Sequence, residues 1–154
     1  MNTLLLNPDS VEQGDDLLLI VVGASLRAEL CDRPLAYSLR EAIVKRQDEC
    51  DADGPLPVLC TDVWHLNSEA LAGRPVLALG DPQLNATTAH LASRLPTAMV
   101  VEQSLRIHFD PAGAEPRACL WGANHRATSQ AITLFAHRYL DSFLALAGGN
   151  GQGQ

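Results

Sequence analysis

The chain has 154 residues, 47% hydrophobic and 19% charged, with a formal net charge of -7. That size and balance suit one domain whose core needs neither disulfide nor metal. An acidic surface repels phosphate backbones, so neither nucleic acid nor an anionic membrane is an expected partner.

Residues 1–16 are polar and read as an entry arm. Leu4–Leu6 is too short for the apolar core of a signal peptide, and no basic residue precedes it. No apolar run approaches the ~18–20 residues of a bilayer crossing, which points to a cytoplasmic protein. Leu17 to Val22 is a continuous apolar run closed by Gly23, the pattern of a strand buried on both faces. Ser25 to Leu30 reads as a loop or helical turn. Asp32 is then expected to cap a helix with Pro34 in its first turn, running to about Cys50 with Leu35, Leu39 and Ile43 inward.

A turn at Asp51–Pro55 leads to a strand over Val58–Val63, a short helix over Asn67–Leu71 and a third strand over Val76–Leu79. Asn85 is expected to cap a helix over Thr88–Leu95, which Pro96 stops. Ala98–Val101 is a fourth strand. Leu105, Ile107 and Phe109 alternate with Arg106 and His108, which predicts an edge strand or hairpin with one wet face. Ala118–Trp121 is a further strand. Ile132, Phe135, Ala136, Tyr139, Leu140, Phe143, Leu146 and Ala147 form the apolar stripe of one long last helix. Residues 148–154 read as a disordered Gly/Gln tail after a single α/β domain spanning 1–147.

Four times a short strand runs into a polar loop and a helix: at Val21–Ser25, Cys60–His65, Leu79–Pro82 and Leu120–His125. The predicted fold is therefore α/β, a three-layer Rossmann-like or flavodoxin-like sheet. It is mostly parallel, with helices on both faces and one antiparallel edge strand or hairpin near 105–109. Such sheets bind ligands beyond the carboxyl ends of their strands. The candidate ligand-binding residues are accordingly Gly23, Ser25, Asp62, His65, Gly80, Asp81, Asn85, Gly122, Asn124, His125 and Thr128, with Arg27 and Trp64 on the same rim. Helix N-termini at that edge make an anionic group the natural guest. Asp81, Asn85, Asn124 and Thr128 are equally good turn and capping residues.

No motif fixes a reaction. G-x-G-x-x-G, G-x-x-x-x-G-K-[ST] and G-x-S-x-G are absent, and the five histidines lack H-x-x-x-H spacing. Neither a cofactor nor a metal is expected. Cys60 and Cys119 read as core residues, and Cys31, ahead of the expected helix, as the thiol best placed to react.

Residues from about 76 to 140 carry Gly80-Asp81-Pro82 followed by Asn85, then Trp121-Gly122 followed by Thr128 and Ala131. This segment resembles a module of archaeal surface-layer and related proteins, whose pattern is G-G-P-x-x-N and then a strand ending in G before T-x-x-A. Asp81 stands where that pattern has its second glycine. The resemblance implies a Rossmann-like module without an assured catalytic residue.

Three readings of function follow: a domain binding a small anionic or nucleotide-like ligand, an assembly module forming a homo-oligomer, and a small hydrolase or transferase. In the last, His65 or His125 would act beside Asp62 or Asp81, with Cys31 or Ser25 as nucleophile.

Overall fold

The computed structural model describes residues 17–50, 54–113 and 115–149. The expected entry arm, most of the turn at 51–55 and the end of the Gly/Gln tail lie outside them. Six strands form one sheet in the order β2-β1-β3-β6-β5-β4. They are β1 (Leu17–Val22), β2 (Leu56–Thr61), β3 (Val76–Leu79), β4 (Thr97–Val101), β5 (Leu105–Phe109) and β6 (Arg117–Gly122). β2, β1, β3 and β6 run parallel, whereas β5 pairs antiparallel with both β6 and β4. The sheet is thus mostly parallel, with the expected antiparallel hairpin closing one side.

Hydrophobicity dictates the order. β1 is apolar throughout and every residue in it is buried, which demands a neighbour on each side and a layer on each face. The helices supply those layers. Leu18, Ile20 and Val22 pack with α1 (Leu26–Glu49), α4 (His125–Arg138) and α5 (Leu140–Gly149). Leu17, Leu19 and Val21 face the other way, with Leu71 of a 3-10 turn (Glu69–Leu71) and Leu91 of α3 (Ala86–Ala92). α2 (Asp62–Asn67) leads into that turn. Pro57 is tolerated because β2 is an edge strand with a single partner.

Five local expectations are corrected. α1 begins at Leu26, capped by Ser25, whose Oγ accepts from Ala28 N at 3.2 Å; Asp32 is not a cap. Ala28, Asp32, Ala36, Leu39 and Ile43 form one buried stripe, and burying it carries the helix past Pro34, whose ring sits on the exposed side. β2 ends two residues early, because Thr61 Oγ1 accepts from Trp64 N (3.2 Å) and caps α2, so Val63 is helical.

The last helix is two. It breaks at Tyr139 (φ -123, ψ -13), whose hydroxyl donates to Ala98 O of β4 (3.3 Å) while its ring lies 6.0 Å from Phe109. The turn keeps Phe135 and Phe143 both buried against Phe109. Gly148 and Gly149, read as tail, close α5. Finally, His108 is not on a wet face. It is 5% exposed and stacked on Trp121, with ring centroids 4.7 Å apart and planes 10° from parallel.

Where β1 and β3 end, their connections diverge: β1 feeds α1 on one face, β3 feeds α3 on the other. Asn85 fills the fork. Its side chain is fully buried; Nδ2 donates to Val21 O (3.0 Å) and Leu79 O (2.8 Å). Its Oδ1 accepts from Thr87 N (3.0 Å) and Thr88 N (3.2 Å), capping α3. One amide thus joins two strand tips to a helix. Asn85→Ala orphans two carbonyls and two amides together, and a loss of roughly 3–5 kcal/mol is expected. Urea unfolding monitored by circular dichroism reads this as a lowered midpoint with unchanged slope.

Candidate functional site

The parallel register sets Gly23, Gly80 and Gly122 just past or at the ends of β1, β3 and β6, on one edge of the sheet. A cleft of about 130 Å³ opens there, between the starts of α1 and α4 and the loop after β3. Of the expected residues, Asp81, Gly122, Asn124, His125 and Thr128 line it. Arg27, Cys31 and Asp32 enter from the first two turns of α1, and Gln83 and Leu84 from the β3 loop.

Several lining residues are already committed to shaping the rim. Asn124 Oδ1 accepts from Ala127 N (2.9 Å), capping α4. Thr128, buried, accepts from Gly122 N (3.0 Å), which pins β6 to the first turn of α4. Asp81 Oδ1 accepts from Gln83 N (2.7 Å) and its carbonyl from Leu84 N (2.8 Å), forming a tight turn. These contacts consume the polar side chains that sequence offered as ligand contacts, while leaving the α4 start and the Arg27 and His125 side chains facing solvent.

Asp32 differs. It is 7% exposed, and among the described residues its carboxylate accepts no hydrogen bond. It stands over Gly80, where an added Cβ would lie 2.5 Å from Asp32 Oδ2. Gly80 has φ +108, a conformation open chiefly to glycine, and the absent side chain makes room for the carboxylate. Burial pushes the Asp32 pKa up, His125 and Arg27 draw it down, and Asp81 adds to the rise. A mostly buried carboxyl that accepts no hydrogen bond and sits in a cleft beside Arg27 and His125 is a candidate functional group, since perturbed carboxyls gather at functional sites. Sequence reading took Asp32 for a cap. The available signal was its position four residues from both Ala28 and Ala36, in the middle of an apolar stripe.

The remaining expected residues lie elsewhere. Ser25 caps α1. Gly23 lies against the Leu84 carbonyl. Asn85 sits beneath the rim with its amide fully used. Asp62 is buried, its oxygens accepting from Val63 N (2.8 Å) and Ala86 N (2.7 Å), which ties α2 to α3. His65 faces a different depression and lies 3.2 Å from Thr87 Oγ1. No histidine forms an ion pair with Asp62 or Asp81 among the described residues.

Burial raises the Cys60 and Cys119 thiols to about 11 and about 12, so both are inert core residues. Cys31 lines the cleft but lies in the second turn of α1 and not ahead of the helix. Among the described residues no three His, Cys, Asp or Glu side chains are grouped to hold a metal ion, and no helix is long and apolar enough to cross a membrane.

No protein-family model matches the chain, and no curated protein or solved structure matches it. Function must be read from the chemistry of the site itself.

Because the Asp32 pKa is raised in the folded state, its ionisation opposes folding. The stability it allows is complete below the ordinary value of 3.8 and is lost as pH climbs through the folded value. Asp32→Asn removes that loss. The variant is expected to melt about 2–4 °C above the parent at pH 7, what ~1 kcal/mol is worth in a chain of this size. Calorimetry across pH should show the gain fading as pH falls toward 3.8.

Proposed function

We propose that this protein binds a small anionic molecule that also carries a hydroxyl or amino donor, in the cleft beyond β1, β3 and β6. The observation that carries this is Asp32, a buried carboxyl without a protein partner, flanked by Arg27 and His125. A donor on the ligand would satisfy Asp32. The anionic part would lie toward Arg27, His125 and the amides of the first turn of α4, a 14-residue helix whose N-terminus is favourable to negative charge. The volume suits a sugar phosphate, a hydroxy acid or the phosphate–ribose part of a nucleotide better than a large cofactor, whose pockets usually exceed ~300 Å³.

A thermal-shift panel of sugar phosphates, nucleotides and hydroxy acids tests this. A ligand at 100 times its Kd stabilises by ~2.7 kcal/mol, roughly 5–10 °C here. Arg27→Gln should weaken the best ligand about tenfold, the worth of a lost charge-assisted bond. Asp32→Asn should narrow the gap between a hydroxylated ligand and its deoxy analogue. Silence across the panel, or a response indifferent to both substitutions, sinks the reading.

A homo-oligomer is the second reading. The same rim exposes Leu26 and Leu30 on α1 and Val63, Trp64 and Leu66 on α2. Native mass spectrometry at micromolar concentration is expected to give a dimer that Trp64→Ser shifts toward monomer; a monomeric parent protein removes this reading.

A further inference from the structure

A second depression of about 500 Å³ lies on the other face of the sheet, between α2 with its 3-10 turn and α3, with Val76 and Leu91 at its base. Its lining contains His65, Arg74, His90 and Arg117, against a single acidic residue, Glu69. The whole chain has 11 Lys and Arg residues against 18 Asp and Glu. A concentration of cationic side chains in one hollow of an acidic protein is therefore not the random expectation. Nor does it arise from a basic run in sequence. His65 comes from α2, Arg74 from the loop before β3, His90 from α3 and Arg117 from the start of β6.

Their disposition suits capture. His65 lines the hollow with its ring held by Nδ1, 3.2 Å from Thr87 Oγ1. Arg117 gives Nε to Glu115 at 3.1 Å, one of the five donors on its guanidinium. Besides burial, the charges of Arg117 and His90 hold the His65 imidazole below its ordinary range, so the field at that ring is positive. A metal dication would be repelled by the same arginines, whereas an anion would supply the missing countercharge.

We propose that this depression binds a phosphate-class anion through Arg117, His65 and His90, at a site separate from the Asp32 cleft. Guanidinium forks match phosphate oxygens in pairs, and two arginines lining one hollow with the imidazoles of His65 and His90 favour a multiply charged guest over a monocarboxylate. The hollow exceeds one phosphate, which leaves room for a pyrophosphate or for the body of a phosphorylated small molecule.

Calorimetric titration with inorganic phosphate, pyrophosphate and acetate at one fixed ionic strength decides the matter. Saturable binding is expected for phosphate and more tightly for pyrophosphate, with acetate at least tenfold weaker. Arg117→Gln should weaken pyrophosphate at least tenfold and His90→Gln about threefold, while Asp32→Asn and Arg27→Gln leave it unchanged. Circular dichroism checks folding; if Arg117→Gln fails to fold, the His65→Gln/His90→Gln double variant replaces it with the same tenfold expectation. The proposal is overturned by an absence of saturable binding or by acetate binding as tightly as phosphate. It is equally overturned by binding that survives Arg117→Gln or the double variant but is lost in Arg27→Gln, which would put the anion in the other cleft.

Discussion

One buried amide holds the strand-end edge of this molecule together. Parallel strands whose connections part to opposite faces leave backbone carbonyls stranded between them, beyond reach of water and of each other. Val21 O and Leu79 O are such a pair, and Asn85 Nδ2 bridges them while Oδ1 caps α3. Each of its four bonds is made inside the protein, where an unmade one is costly. The open cleft above rests on that closed junction.

Around the cleft, most polar side chains serve the backbone. Ser25 and Asn124 cap α1 and α4, Thr128 anchors β6, and Asp81 shapes the turn after β3. Caps and turns of this kind fix where helix starts sit, and so fix the rim before any ligand arrives. Asp32 is the exception: it accepts no hydrogen bond among the described residues, and burial pushes its pKa up although the charges of His125 and Arg27 act against the rise. Gly80 makes the position feasible, since a side chain there would collide with the carboxylate. Burial, the lack of a hydrogen bond and the place in the cleft together single out Asp32 among the acidic residues.

The two hollows differ in electrostatic character. The Asp32 cleft mixes signs, with Asp32 and Asp81 beside Arg27 and His125. The hollow between α2 and α3 is dominated by His65, Arg74, His90 and Arg117. A protein of net charge -7 has thus gathered two arginines and two histidines in a restricted region.

Local pattern alone determined much of this protein. The unbroken apolar runs at Leu17–Val22 and Val76–Leu79 require strands with neighbours on both sides, and the repeated strand–loop–helix rhythm requires a mostly parallel sheet with its loops on one edge. Asn85 was legible as a cap because its Oδ1 accepts from Thr87 and Thr88, two and three residues onward, whereas its Nδ2 bonds to Val21 and Leu79 were not. What depended on distant partners was not legible. The break at Tyr139 needs Phe109 and Ala98, the burial of His108 needs Trp121, and the unbroken α1 needs the sheet that covers its inner stripe. Asp32 became a candidate site residue, and His65 joined a different hollow from His125, only when the chain had folded. Burial, and the direction from which charges converge, are properties of packing between segments remote in sequence, and no short-range pattern encodes them.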